Sequence, residues 1–165
     1  MPKLLGLTAL LAVFVLTLAA SPVSAATRDV SVSMSFTEPF RQDINSGCAV
    51  IAEGFCGNGV VVPFGHATES IIFGGACGGF CDLRTVNVAG GSIYIHEFFG
   101  TGFCPGYCQP NPAEPGGGTL DDVVVGGTGM FAGATGNLSG RVFAAGPPWA
   151  FQSAIKLSGT ITLQT

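Results

Sequence analysis

The chain of 165 residues is 47% hydrophobic but only 10% charged, and its formal net charge is −4. A surface that holds phosphates needs a positive field, and the basic residues here are few and scattered, so nucleic acid is not an expected partner. Abundant glycine together with many Val, Ile, Phe and Thr residues points to an all-β chain.

The N-terminus reads as an export signal. Lys3 is the only charge before Arg28, Leu4 to Ala20 is apolar, and Val23-Ser24-Ala25 or Ser24-Ala25-Ala26 offers a small-residue cleavage site. The run is short for a spanning helix. Nothing later could cross a bilayer as a helix. Residues 1–26 are therefore expected to be removed, leaving 27–165 as one secreted domain. Loss of Lys3 shifts the formal charge from −4 to −5 and leaves Arg28, Arg41, Arg84, Arg141 and Lys156 as its basic residues.

Asp29 to Phe36 alternates cleanly, with Val30, Val32, Met34 and Phe36 against serines, which is the pattern of a half-buried strand. Glu38-Pro39 ends it, because proline cannot donate to a ladder. Arg41 to Asn58 reads as a loop, with a short strand at Ala49 to Ala52. Val60 to Phe73 reads as one long β run, with Pro63 and Gly65 marking a bulge or an edge. Gly74 to Cys81 is a glycine-rich connection. Asp82 to Val88 and Ser92 to Phe99 make a hairpin through Ala89-Gly90-Gly91. Gly100 to Gly118 is irregular and proline-rich, the kind of long loop that carries function or a lid. Val123 to Val125, Leu138 to Ala144 and Ile155 to Leu163 complete the strands. No helical period appears after the signal.

Six cysteines, Cys48, Cys56, Cys77, Cys81, Cys104 and Cys108, all follow the signal, and an even count in an exported chain implies disulfides. The sequence leaves several connectivities open. Nearness along the chain favours Cys48–Cys56, Cys77–Cys81 and Cys104–Cys108, each stapling a loop. A zinc site built from Cys77, Cys81, Cys104 and Cys108 is the competing reading. Oxidation outside the cell and the three-residue spacing count against it, so no metal is expected.

The most specific stretch is Gly126-Gly127-Thr128-Gly129-Met130-Phe131-Ala132-Gly133-Ala134-Thr135-Gly136, between two β runs. Glycines tolerate the positive φ that other residues avoid, so this is a tight corner, with Phe131 placed to plug the end of a sheet or barrel. A phosphate-cradling loop is disfavoured, because no Lys follows and no amphipathic helix opens. Through Gly126, Gly127, Thr128, Gly129, Phe131, Ala134 and Gly136 the stretch resembles the corner of the dirigent and allene oxide cyclase-like β-barrel superfamily, and secreted bacterial proteins share its fuller form. The resemblance covers about fifteen residues and implies a barrel that binds apolar small molecules, sometimes guiding their cyclisation without a cofactor. It carries no functional residue onto this chain, and the three loop cysteine pairs depart from the plant enzymes.

Candidate chemistry is sparse. Glu97 shares parity with Ile93, Ile95 and Phe99, and Arg84 with Asp82, Val86 and Val88. If the isoleucine face is internal, Glu97 is a buried carboxylate with a raised pKa, suited to proton transfer. A structural ion pair with Arg84 across adjacent strands is the alternative. His66 and Glu69 are an odd number of residues apart and face opposite sides, and neither His66 nor His96 has metal-site spacing. Glu97, with His66 and Arg84, is the set a catalytic reading would use. No nucleophile elbow is present, and oxidised cysteines are not nucleophiles.

Seven or eight strands with hairpin connections fit a closed antiparallel barrel of about eight strands with disulfide-stapled loops. The expected function is binding of an apolar small molecule or an extracellular partner, the latter through Phe103 and Tyr107 on the Cys104–Cys108 loop, without a cofactor. The alternative is a cofactor-independent cyclase or isomerase working by confinement in the cavity.

Overall fold

The computed structural model describes residues 26–39, 54–100, 116–145 and 152–165. Alternation of apolar and small polar residues yields eight strands: β1 (Thr27–Pro39), β2 (Gly54–Val62), β3 (Gly65–Ala76), β4 (Cys81–Val88), β5 (Gly91–Phe99), β6 (Gly116–Gly127), β7 (Thr135–Ala145) and β8 (Gln152–Gln164). Each pairs antiparallel with the next, and β1 pairs with β8 to close the barrel. The seam runs from Thr27↔Gln164 to Pro39↔Gln152, the whole length of both strands. Closure leaves no free edge in the ladder. Among the described residues no helix is long and apolar enough to cross a membrane.

Three expectations about strands change. The run from Val60 to Phe73 is two strands, because the chain reverses at Pro63 and Phe64. Pro63 lacks an amide to donate, and Gly65 takes φ 93°, a conformation glycine supplies without strain. Gly54 to Asn58 is strand rather than loop, since β1 and β3 flank it and satisfy its backbone groups. Gly116 to Gly118 likewise belongs to β6, paired with Val142 to Ala144. The strand expected at Ala49 to Ala52 and the signal segment lie outside the described residues.

Of the expected disulfides, Cys77–Cys81 is formed, with Cα atoms 5.5 Å apart. Cys56 is also disulfide-bonded. Cys48, Cys104 and Cys108 lie outside the described residues, as does the Phe103–Tyr107 loop.

The barrel has two unlike ends. At one lie both chain ends of the described domain, the Pro63-Phe64 turn, the β4–β5 hairpin and the glycine corner. Phe131 and Ala134 are completely buried there, and the Phe64 ring meets Phe131 edge to face at 5.0 Å between centroids. The corner is latched to the hairpin. Thr128 N–H donates to Ser92 O at 2.9 Å, Ser92 N–H donates to Thr128 Oγ1 at 3.0 Å, and Met130 N–H donates to Gly90 O at 3.0 Å. Gly129 sits at φ 59°, and a Cβ on it would collide with Gly90 O. Glycine at this position is therefore required twice over. Above the plug, Val61, Val86, Ile93, Ile95, Leu120 and Ile161 fill the lumen with no surface a water could touch, and Val124 is all but completely buried beside them. At the other end β1, β3, β5 and β7 finish and their partners begin, and the inward side chains turn from aliphatic to acidic.

Candidate functional site at the carboxylate end

Strand parity carries four acids and one base inward together. Glu38 continues the apolar face Val32, Met34 and Phe36 of β1, and Glu69 lies between Ala67 and Ile71 on β3. Arg84 follows Asp82 and precedes Val86 on β4, and Glu97 follows Ile95 on β5. Asp122, between Leu120 and Val124 on β6, makes a fifth acid.

The guanidinium of Arg84 has no exposed surface, and carboxylates surround it. Its Nε donates to Glu97 Oε2 at 2.8 Å and its Nη1 to Glu38 Oε1 at 2.7 Å. Nη1 also donates to Glu69 Oε2 and Nη2 to Glu97 Oε2. Ser153 on β8, opposite Glu38 in the seam, donates its hydroxyl to Glu38 Oε2. Room for this arrangement comes from β2. A Cβ on Gly57 would lie 2.8 Å from Glu69 Oε1 and 3.0 Å from Glu38 Cγ, so a side chain there would displace the pair.

A second feature lies beside it. Register places Asp82 opposite Glu97 and Glu97 opposite Asp122, so three acids form one inward row across β4, β5 and β6. Like charges directly opposite on a sheet repel. Asp82 Oδ1 accepts from the Gly74 amide at 2.7 Å, but Asp82 Oδ2, both oxygens of Asp122 and Glu69 Oε1 are buried without a hydrogen-bond partner. Buried acceptors left unpaired are costly, about 1–3 kcal/mol each.

Charge balance decides the protonation of the cluster. Among the described residues Arg84 is the sole buried base, against five buried acids. Ionising all five in a dry lumen is prohibitive, so protons stay bound. Burial pushes the Asp122 carboxyl up to about 8, with the neighbouring Glu97 adding to the effect and the Arg84 charge opposing it. Burial also raises Glu69 well above its ordinary range, against the pull of Arg84. Glu97 and Asp82 move upward for the same first reason. For Arg84, burial alone would favour loss of the proton, but Glu69, Glu97 and Glu38 outweigh it and hold the charge firmly. The site is thus one fixed cation ringed by glutamates, beside an Asp122 that holds its proton at neutral pH.

No family model matches the chain, and no curated protein or solved structure matches it.

Of the residues singled out from sequence, Arg84 and Glu97 do meet, as the ion pair across adjacent strands. His66 is exposed on the outer face of β3 and does not join them, since odd spacing from Glu69 turns it outward. His96 is outward too, with its Nδ1 3.4 Å from Cys77 Sγ. The structural-turn residues Gly126, Gly127, Thr128, Gly129, Phe131 and Gly136 stand at or beside the plugged end. Sequence reasoning passed over Glu38, Asp122 and Ser153, and weighed Glu69 only as a partner of His66. The signal for the three acids was present: each stands on the parity of its strand's aliphatic residues, where an acid is out of place unless the lumen uses it.

Proposed function

We propose that the protein works outside the cell as a binding barrel that takes a small ligand at its carboxylate end. The observation that carries this is the row Asp82–Glu97–Asp122, with three orphan oxygens on Asp82 and Asp122. A ligand that satisfies them offers N–H or O–H donors, or a positive charge that takes the place of a bound proton. The filled aliphatic lumen argues for a small ligand with a polar head and a short apolar part, rather than a large apolar one. Kinship with the dirigent and allene oxide cyclase-like barrels is part of the same proposal, supported by eight antiparallel strands in sequential order and by a glycine corner that buries Phe131. Export is supported by the apolar N-terminal segment and the disulfides.

The test is calorimetric titration of the mature, oxidised chain with hexylamine, hexanol and hexanoate. Saturable binding of the amine, with a heat that varies with buffer ionisation because a proton leaves Asp122, is expected. Asp122→Asn should remove that proton release while keeping the far-ultraviolet spectrum. Equal binding of hexanoate would replace this reading with an apolar site that ignores the acids, and failure of all three probes would end it.

A second reading has one observation in its favour. Asp122 is a carboxylic acid neutral at pH 7 inside a barrel, the state that suits a general acid in a cofactor-independent cyclase or isomerase. An identified substrate turned over equally well by Asp122→Asn would remove it.

A further inference from the structure

Outside the barrel wall, at the same end, a third cluster is built from other side chains. Cys77, Cys81 and His96 bring two sulfurs and a ring nitrogen within 4.8 Å of one another. Cys77 and Cys81 are joined as a disulfide, and His96 Nδ1 lies 3.4 Å from Cys77 Sγ. The histidine comes from β5, one strand away, so no spacing in the sequence announces it. The zinc reading of the cysteine motif paired Cys77 and Cys81 with Cys104 and Cys108, whereas the fold supplies His96.

We propose that Cys77, Cys81 and His96 form a redox-gated metal site: closed as a disulfide, and open to zinc once reduced. Thiolate and imidazole are the ligands zinc prefers, and three protein ligands leave a fourth position for water or a substrate atom. Two features favour the reduced site holding its shape. The turn Cys77–Gly79 is fastened without the S–S bond, because Gly74 N–H donates to Asp82 Oδ1 at 2.7 Å and Ala76 pairs with Cys81 in the ladder. His96 is fixed in β5 opposite Leu83 and Val123.

The opening step also has an accessible target. Cys77 is exposed while Cys81 is buried, and Cys77 is the non-glycine residue with positive φ, 51°, among the described residues. The reductant is a dithiol. Its first thiolate attacks Cys77 Sγ, and Cys81 leaves as thiolate. The reductant's second thiol then closes its own disulfide and frees Cys77. Two electrons and two protons pass to the protein, giving two thiols. Zinc displaces those two protons and is bound by Cys77 Sγ, Cys81 Sγ and His96 Nδ1. Exchange with an external disulfide, which takes the two electrons and leaves as two thiols, would re-form the Cys77–Cys81 bond and expel the ion.

The test uses cobalt(II) as a coloured substitute for zinc. The mature chain is reduced with a dithiol, desalted without air and titrated, beside Cys77→Ser/Cys81→Ser, His96→Gln and the oxidised chain. Reduced wild type is expected to show thiolate-to-cobalt absorption and tetrahedral d–d bands. The double variant should bind one cobalt ion fewer, and His96→Gln should lose affinity at least about 10-fold, the scale seen when a site's supporting residues are removed. The oxidised chain should show none of these bands at the site. Equal stoichiometry in wild type and the double variant, or unchanged affinity in His96→Gln, would overturn the proposal. So would loss of the β-sheet circular dichroism on reduction, because the ligands would then no longer be held together.

Discussion

The two ends of this barrel use the same strands and opposite chemistry. At the glycine corner, inward positions carry Phe131, Ala134, Ile161 and Ile93, and stability there comes from removing apolar surface from water. At the other end the same parity carries Glu38, Glu69, Arg84, Glu97 and Asp122, and order depends on hydrogen bonds, one cation and retained protons. The first kind of core is insensitive to pH. The second is a titrating device, and a buried network of this type is weak evidence for stability and better evidence for a job.

Breaking the comparison is most direct at Arg84. Arg84→Met strands three glutamates without their cation, and we expect a loss of about 3–5 kcal/mol at pH 7 by chemical denaturation. Much of that loss should vanish near pH 3, below the ordinary glutamate pKa of about 4.3, where the unfolded chain's carboxyls are neutral as well. An equal loss at both pH values would show that packing, not charge, is what Arg84 supplies. Phe131→Ala is the counterpart at the plugged end. It should cost about 3–4 kcal/mol from the lost aromatic and the cavity it leaves, equally at pH 5 and pH 8.

The pH profile of the wild type sharpens the contrast. Asp122 and Glu69 have folded pKa values raised above their unfolded ones, so the folded chain binds more protons across that interval. Their contribution is fully present below pH 4 and is lost as pH rises through about 8 for Asp122. Thermal midpoints should therefore fall from pH 5 to pH 9. Asp122→Asn should be about 2–4 kcal/mol more stable than wild type at pH 9 and nearly equal to it at pH 4. A flat wild-type profile would mean the row is paired by something other than protons.

Smaller effects separate backbone from side chain. Gly129→Ala places a Cβ at φ 59° against Gly90 O, and about 1–3 kcal/mol should be lost with no pH dependence. Ser153→Ala removes only the hydroxyl that donates to Glu38 and should cost about 1–2 kcal/mol, read in the same denaturation experiment.

The legibility of these regions differed for a physical reason. Period-two alternation in β1, the hairpin through Gly90 and the corner at Gly126 to Gly136 are local signals, and local signals place strands, turns and a plug. They fail where the partner is distant. Gly54 to Asn58 has no apolar alternation of its own, and it is a strand because β1 and β3 lie on either side. Pro63 and Gly65 were visible as an interruption, but whether an interruption is a bulge or a reversal depends on which strand lies alongside. Glu97 and Arg84 could be guessed as neighbours because a short hairpin joins them. Glu38 and Ser153, whose side chains meet across the seam, are 115 positions apart.

By itself the amino-acid order determined an all-β chain, the alternation that sets each strand's inner face, and the small-residue corner that lets two strands turn around a buried aromatic. Those are properties of a few adjacent residues, set by φ/ψ preference and by side-chain period. Only the closed barrel decided that five inward acids converge around one arginine and that His96 stands beside Cys77 and Cys81. Closure and register alone fix which distant strands share a layer, and electrostatics acts between neighbours in space rather than neighbours in sequence.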